Sequence, residues 1–308
     1  MSFTNLAALE WANRTPDEFM QSMLVSSGVH SRYSIYDDIK DKMSIPIFDG
    51  SLVFTTDFCK WEPGSSVDIT EKEFSTENYK WAFQNCKTAL QRTFRSELLT
   101  KGANNEQTLD EQLKDWIFMH FSALSAKHIG AVATEKIQAE IDADGNVIKA
   151  TSADLEASKD PTQVLGVLAK VFKNISKEMY LSHFNPNGVI VNKKNSLAII
   201  LPWEMFQAAH IALSSKLSFE ERAEIEAGRL PLRFMGIDLL LNPDADESNI
   251  LVGQLSNFVT VVDDLSDVRA IQMKYIEEIN SDYIWGQFTI GFSYKVSEEI
   301  LHYKLTAA

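Results

Sequence analysis

From residue 52 onward the chain alternates, with Leu52, Phe54, Thr56 and Phe58 on one side and Val53, Thr55 and Asp57 on the other. A period of two is that of a strand with one buried face. Trp61-Glu-Pro-Gly64-Ser-Ser follows, in which Pro63 and Gly64 suit a turn, and Val67, Ile69 and Glu71 resume the alternation, so the pattern predicts a long hairpin. Tyr79, Trp81, Phe83 and Asn85 keep strand period, and 88–99 reads as a short helix ending at Gly102. Before the hairpin the pattern is mixed. Thr15, Pro16 and Glu18 supply an N-cap, a first-turn proline and a capping-box acid for a short helix over 15–24. The remainder of the first 43 residues reads as an extended arm that finds its packing partner elsewhere.

The spacing changes to three and four after Thr108-Leu-Asp-Glu111, a capping box set before Leu113, Ile117, Phe121, Leu124, His128 and Val132. With Gly130 as its sole breaker before Asp142-Ala-Asp-Gly145-Asn, this helix is expected to exceed thirty residues, or on the order of 50 Å. A rod of that length needs a wide body to lie against. Asp160-Pro161-Thr-Gln163 opens a further helix with Val164, Leu168, Val171, Ile175 and Met179 on one face, closed by Asn185-Pro-Asn-Gly188. A strand over 196–201 feeds a helix over 202–213, and a polar stretch covers 218–229. Beyond it, 232–241, 250–255, 258–262 and 268–276 read as strands. The clearest strand is 283–294, with Ile284, Phe288, Ile290, Phe292 and Tyr294 on one face and Gln287, Thr289 and Ser293 on the other. Arm, hairpin, long helix, mixed segment and closing strands make the fold class α+β.

The 308 residues amount to about two domains' worth of chain. Apolar content of 45% and charged content of 23% disfavour disorder, collagen-like repeats and coiled coils. No run approaches the roughly 18 apolar residues of a membrane span, and Glu10 interrupts a start that lacks a basic, apolar leader. A cytoplasmic origin is the default expectation. Two cysteines, Cys59 and Cys86, exclude a disulfide framework and a multi-thiolate zinc site. The net charge of −14 means that any phosphate-backbone binding would need a local basic patch, and Lys193-Lys194 with the scattered Lys87, Arg92, Arg95 and Lys101 do not make one.

Candidate chemistry is sparse. Asp142-Ala-Asp144-Gly-Asn146 begins like a calcium loop, but Val147 stands where glycine is needed and Ala153 where a bidentate acid is needed, so a plain turn is expected. His120 and His128 share a helix face about 12 Å apart along the axis, too far for one metal, and read as core or interface residues. Cys59 and Cys86 read as small buried hydrophobes. Glu220, Glu221, Glu224 and Glu226, with Asp244, Asp246 and Glu247, read as a solvated face. No P-loop, Gly-x-Gly-x-x-Gly, Gly-x-Ser-x-Gly or His-Glu-x-x-His is present. No catalytic, cofactor-binding or metal-binding residue is therefore assigned.

Ser44-Ile-Pro-Ile-Phe-Asp-Gly-Ser-Leu-Val-Phe54, Asp57-Phe-Cys-Lys-Trp61, Val67-Asp-Ile-Thr-Glu-Lys-Glu-Phe74 and Asn85-Cys-Lys-Thr-Ala-Leu90 occur in that order. Phe234-Met-Gly-Ile-Asp-Leu-Leu-Leu-Asn-Pro243, Asn257-Phe-Val-Thr-Val-Val-Asp-Asp-Leu265 and Asp282-Tyr-Ile-Trp-Gly-Gln-Phe-Thr-Ile-Gly-Phe292 follow. This succession resembles the major capsid proteins of tailed double-stranded DNA bacteriophages, which share the Hong Kong 97 fold. The resemblance spans about 44–303 and rests on the order of patterns rather than on any one motif.

The resemblance implies an N-terminal arm (1–45), an extended loop (46–86), a peripheral domain with the spine helix (87–155), an axial domain (156–276) and closing strands of the peripheral domain (277–308). It implies a structural protein, without cofactor or enzymatic activity, that assembles into hexamers and pentamers of an icosahedral head shell around double-stranded DNA. Its location would be the virion, after assembly in the host cytoplasm, with portal, scaffold and decoration proteins as partners and no membrane. Some members carry a scaffolding segment before the arm; the arm here begins at Met1, which implies a separate scaffold or a mature chain. Phe54, Phe58, Lys60, Trp61, Val67 and Ile69 of the loop are the expected assembly interface, because apolar residues on a projecting hairpin ask for a neighbour. Two alternatives stand beside this reading: an encapsulin-type nanocompartment shell, suggested by the helix over 15–24, and a hydrolase with an unrecognised acidic site.

Overall fold

Helix α1 (Glu106–Ala143) is 38 residues long, about 57 Å at 1.5 Å per residue, and its buried stripe belongs to the main core. The computed structural model describes residues 28–39, 41–51, 66–86, 106–177, 179–180, 197–227, 230–263, 272–276 and 281–307. Thr108 to Glu111 lie inside α1, so they do not form the N-cap expected of them. Ala126, Ile129, Ala133, Ile137 and Ile141 form the buried stripe. The expected row through Leu124 and His128 is displaced by one residue, or about 100° around the axis; Leu124 is 62% exposed and His128 is exposed. Small residues explain the displacement. Ala126, Gly130 and Ala133 carry little hydrophobic signal, yet they allow close approach, and the carboxylate of Asp244 lies against Gly130. After α1 the Asn146 N–H donates to Asp144 Oδ1 at 2.8 Å, which makes the 142–146 segment the plain turn expected.

The described strands form three sheets. The first orders β1 (Ser34–Tyr36), β10 (Phe258–Val262), β12 (Ser281–Tyr294) and β11 (Gln272–Ile276), with β4 (Glu77–Cys86) also paired to β12. Strand β1 adds in parallel to β10, so part of the expected arm is a sheet edge. The second sheet orders β5 (Ile148–Ser152), β13 (Ile300–Leu305), β9 (Asn249–Gln254), β6 (Leu197–Leu201), β8 (Ile237–Leu241) and β7 (Arg233–Phe234). The third is the hairpin β2 (Lys42–Ser51) and β3 (Ser66–Ser75). Strand β13 thus joins the second sheet while β10 and β11 join β12, and the sheets cut across the ranges 156–276 and 277–308.

The six-stranded sheet is covered on both faces. Ala198, Ile200, Leu240, Leu251 and Ile300 pack into the core with α1, and Leu197, Ile199, Leu201, Leu239, Ile250 and Val252 pack into the other core. That second core takes in Val164, Leu168 and Val171 of α3 (Val164–Lys173) and Met205 and Ala209 of α4 (Trp203–Ser214). Double coverage explains why β6 is an unbroken apolar run rather than an alternating one. Between β5 and α3 lies the short helix α2 (Leu155–Lys159).

Other elements depart from the periodicity. Helix α3 stops at Lys173, leaving Ile175 and Met179 beyond its end although Met179 is buried. The 232–241 segment is two strands, because Met235 (φ 49) and Gly236 (φ 83) form a tight turn between β7 and β8. Within the polar 218–229 stretch lies helix α5 (Phe219–Glu226), opened by a complete Ser218–Glu221 capping box. Thr289 and Ser293 of β12 are buried as well as Phe288 and Ile290, so that strand has no solvated face in its second half. The helices expected over 15–24 and 88–99 and the closure at 185–188 lie outside the described residues.

Candidate assembly site

Strands β2 and β3 pair antiparallel in continuous register from Lys42↔Ser75 to Ser51↔Ser66. The hairpin is therefore present, but its first strand is 42–51; the alternating 52–58 segment, with Phe54, Phe58, Lys60 and Trp61, lies outside the described residues. Val67 and Ile69 stand on β3 opposite Gly50 and Phe48.

The base of the hairpin is tied to the body. The Thr76 N–H and hydroxyl donate to the Asp41 carbonyl at 3.0 and 3.2 Å, closing the two strands. Phe74, 1% exposed, packs with Ile39, Val259 and Val261, and Met43 and Ile45 lean on the same cluster. Lys72 reaches Glu140 of α1 at 2.8 Å. Further out, Ser44, Pro46 and Thr70 are exposed. Lys42 and Glu73 form an exposed ion pair of little energetic weight. Among the described residues neither outer edge of this two-stranded sheet is paired. An isolated two-stranded hairpin is marginal in water, so contact with another surface would stabilise its outer part. Pro46 stands in β2 opposite Glu71, and proline within a strand is confined mainly to edges, where it limits indiscriminate strand addition.

Other candidates resolve into structural roles. Glu221 caps α5, Glu247 and Glu204 hold Lys159, and Asp246 accepts from Ser248. Burial raises the carboxyl pKa of Asp244, whose backbone N–H donates to Asn242. Burial also raises that of Glu299. Among the described residues no three His, Cys, Asp or Glu side chains come close enough to hold a metal ion, and no helix is long and apolar enough to cross a membrane. Cys86 ends β4, and Cys59 lies outside the described residues.

Sequence reasoning missed Phe74, Lys72 and Glu140 as the hairpin's anchors. The alternation that selects Val67, Ile69 and Glu71 places Phe74 and Lys72 on the opposite face, and nothing local links Lys72 to an acid on α1.

No family model and no curated protein sequence matches the chain. Among solved structures it is similar to a chain of the satellite phage P4 procapsid at 13% identity and TM-score 0.60, covering 94% of this chain and 91% of that one. It is also similar to the capsid of cyanophage P-SCSP1u at 9% identity and TM-score 0.56, covering 90% and 87%. The chain has the Hong Kong 97 fold. Within that fold α1 is the spine helix. A virus-like particle from Pyrococcus furiosus is similar as well, at 12% identity and TM-score 0.53, covering 93% of this chain and 98% of that one. At these identities the likeness is one of fold.

Proposed function

We propose that this chain is a major capsid protein, a structural subunit that assembles with itself into hexamers and pentamers of an icosahedral head shell enclosing a phage genome. The observation that carries the proposal is the end-to-end likeness to capsid subunits, over 90% or more of this chain. In this reading 1–45 is the arm and 46–86 the extended loop; α1 with the β10–β12–β11 sheet forms the peripheral domain, and the six-stranded sheet, β13 included, with α3 and α4 forms the axial domain. Phe54, Phe58, Lys60, Trp61, Val67 and Ile69 contact a neighbouring subunit. The open edges of β2 and β3 support this, because closed symmetric assembly covers surfaces that a monomer leaves bare. The function is mechanical, without turnover or cofactor. A net charge of −14 limits adhesion to packaged DNA that must later leave. Portal, scaffold and decoration proteins are the expected partners, and the virion is the location.

Negative-stain electron microscopy of the purified full chain tests this: shells, tubes or capsomers are expected, and monomers alone at every concentration would overturn it. A second reading, an encapsulin-type nanocompartment, is favoured by the nearly complete coverage of the Pyrococcus particle subunit. Particles from the native source that protect double-stranded DNA from nuclease support the head shell. Particles holding protein and no DNA support the nanocompartment.

A further inference from the structure

Along the face of β3 turned to the body, Phe74 and Lys72 are held and Thr70, the next residue outward, is exposed. Lys72 is thus the outermost described contact on that face. Its ammonium lies 2.8 Å from Glu140 Oε1 and 3.5 Å from the centroid of the Tyr294 ring. Both partners are fixed from behind. Glu140 Oε1 accepts from the Ser293 hydroxyl at 2.8 Å, and the buried Tyr294 donates its hydroxyl to Asp144 Oδ2 at 3.0 Å. The receiving groups come from the C-terminal end of α1 and from β12, two elements of the main core. A cation enclosed by a carboxylate and an aromatic face, with its side chain only 20% exposed, is better defined than a surface pair.

A pivot lies beneath this contact. At Gly291 of β12 the backbone of Ser75 and Thr76 crosses so closely that a Cβ would stand 2.1 Å from the Ser75 carbonyl oxygen. Just inside the hairpin, therefore, β3 rests on bare backbone.

We propose that Lys72 is the latch that fixes the direction in which the β2–β3 hairpin leaves the subunit, closing on Glu140 and Tyr294 above a pivot at Gly291. From Ser75, over the pivot, to Ser66 the strand runs about 31 Å at 3.4 Å per residue, so a 10° swing about the base moves its end by roughly 5 Å. A positioning residue with that leverage decides where the hairpin meets any neighbour. The latch is a property of the subunit and does not rest on the shell reading.

Hydrogen exchange read by mass spectrometry on the full chain tests it, comparing wild type with Lys72→Met, Lys72→Arg and Glu140→Gln at matched oligomeric state. Lys72→Met keeps the stem and drops the charge. It and Glu140→Gln are expected to speed exchange in 42–51 and 66–75 by about ten-fold while α1, β10 and β12 stay at wild-type rates. Lys72→Arg is expected to restore most of the protection, and the Met/Gln double variant to exchange no faster than Lys72→Met alone. Unchanged hairpin exchange in Lys72→Met would overturn the proposal. So would an equal rise across α1 and β12, or loss of the far-ultraviolet spectrum, since Lys72 would then support the whole fold and not the hairpin's direction.

Discussion

Gly291→Ala probes the crossing beneath the hairpin. The added methyl carbon would meet the Ser75 carbonyl oxygen at 2.1 Å, its carbon at 3.1 Å and the Thr76 Cα at 3.3 Å. Carbon-to-oxygen contacts are comfortable at about 3.3–3.6 Å, so one strand must move by more than about 1 Å. Neither moves freely. Gly291 is held in register opposite Val261, between the Ile290–Val262 and Phe292–Thr260 pairs, and Ser75 sits between buried Phe74 and Thr76, which is bonded to Asp41. Overpacking of this kind costs about 1–3 kcal/mol, and backbone against backbone belongs at the upper end. At about 2–4 °C per kcal/mol for a chain of this size, the melting temperature should fall by roughly 5–10 °C. Gly166→Ala is the matched control: it lies in α3 with nothing within 4 Å of its added Cβ, and it should stabilise by up to about 1 kcal/mol. Thermal melting by circular dichroism, at equal concentration and oligomeric state, compares the two. A Gly291→Ala protein that melts with the wild type would refute the close crossing.

Replacing 60–66 by a short Gly-Ser turn should leave the far-ultraviolet spectrum unchanged and prevent shell formation by electron microscopy; normal shells, or an unfolded subunit, would count against the loop assignment. Leu124→Pro should unfold the subunit at a cost of about 3 kcal/mol or more, whereas Leu124→Gln should change little because the side chain is exposed, and Ile137→Ala should cost about 2–5 kcal/mol. The far-ultraviolet spectrum of the Pro variant, with urea midpoints of the Gln and Ala variants, separates helix geometry from burial. His30, 2% exposed, has its pKa lowered by burial to about 4. The unfolded chain takes up this proton near pH 6.5 and the folded one only near 4, so stability falls as pH drops through that window, by roughly 3 kcal/mol from this group. Burial lowers His302 in the same sense, while the raised Asp244 and Glu299 act oppositely. Urea midpoints between pH 7.5 and 4.5 should fall less steeply in His30→Gln than in wild type, and parallel curves would contradict this.

Elements whose pattern is set locally are legible in the chain. The existence of the long helix, the strand character of 77–86, 258–262 and 281–294 and the turn after Ala143 follow from spacing and turn residues, which act over a few positions. The hairpin is legible as a hairpin through the alternation of Val67 and Ile69, while the Pro63–Gly64 turn expected for it lies outside the described residues. Its first strand is not legible, because Lys42–Ser51 carries Pro46 and Gly50 and alternates poorly. Tertiary structure decided which face of α1 is buried, since Gly130 and two alanines are chosen for closeness and not for hydrophobicity. It also decided the sheet membership of β13, which joins β5 and β9 far away in the chain, and the pairing of Lys72 with Glu140. Such pairings rest on contacts between distant segments, and no local period encodes them.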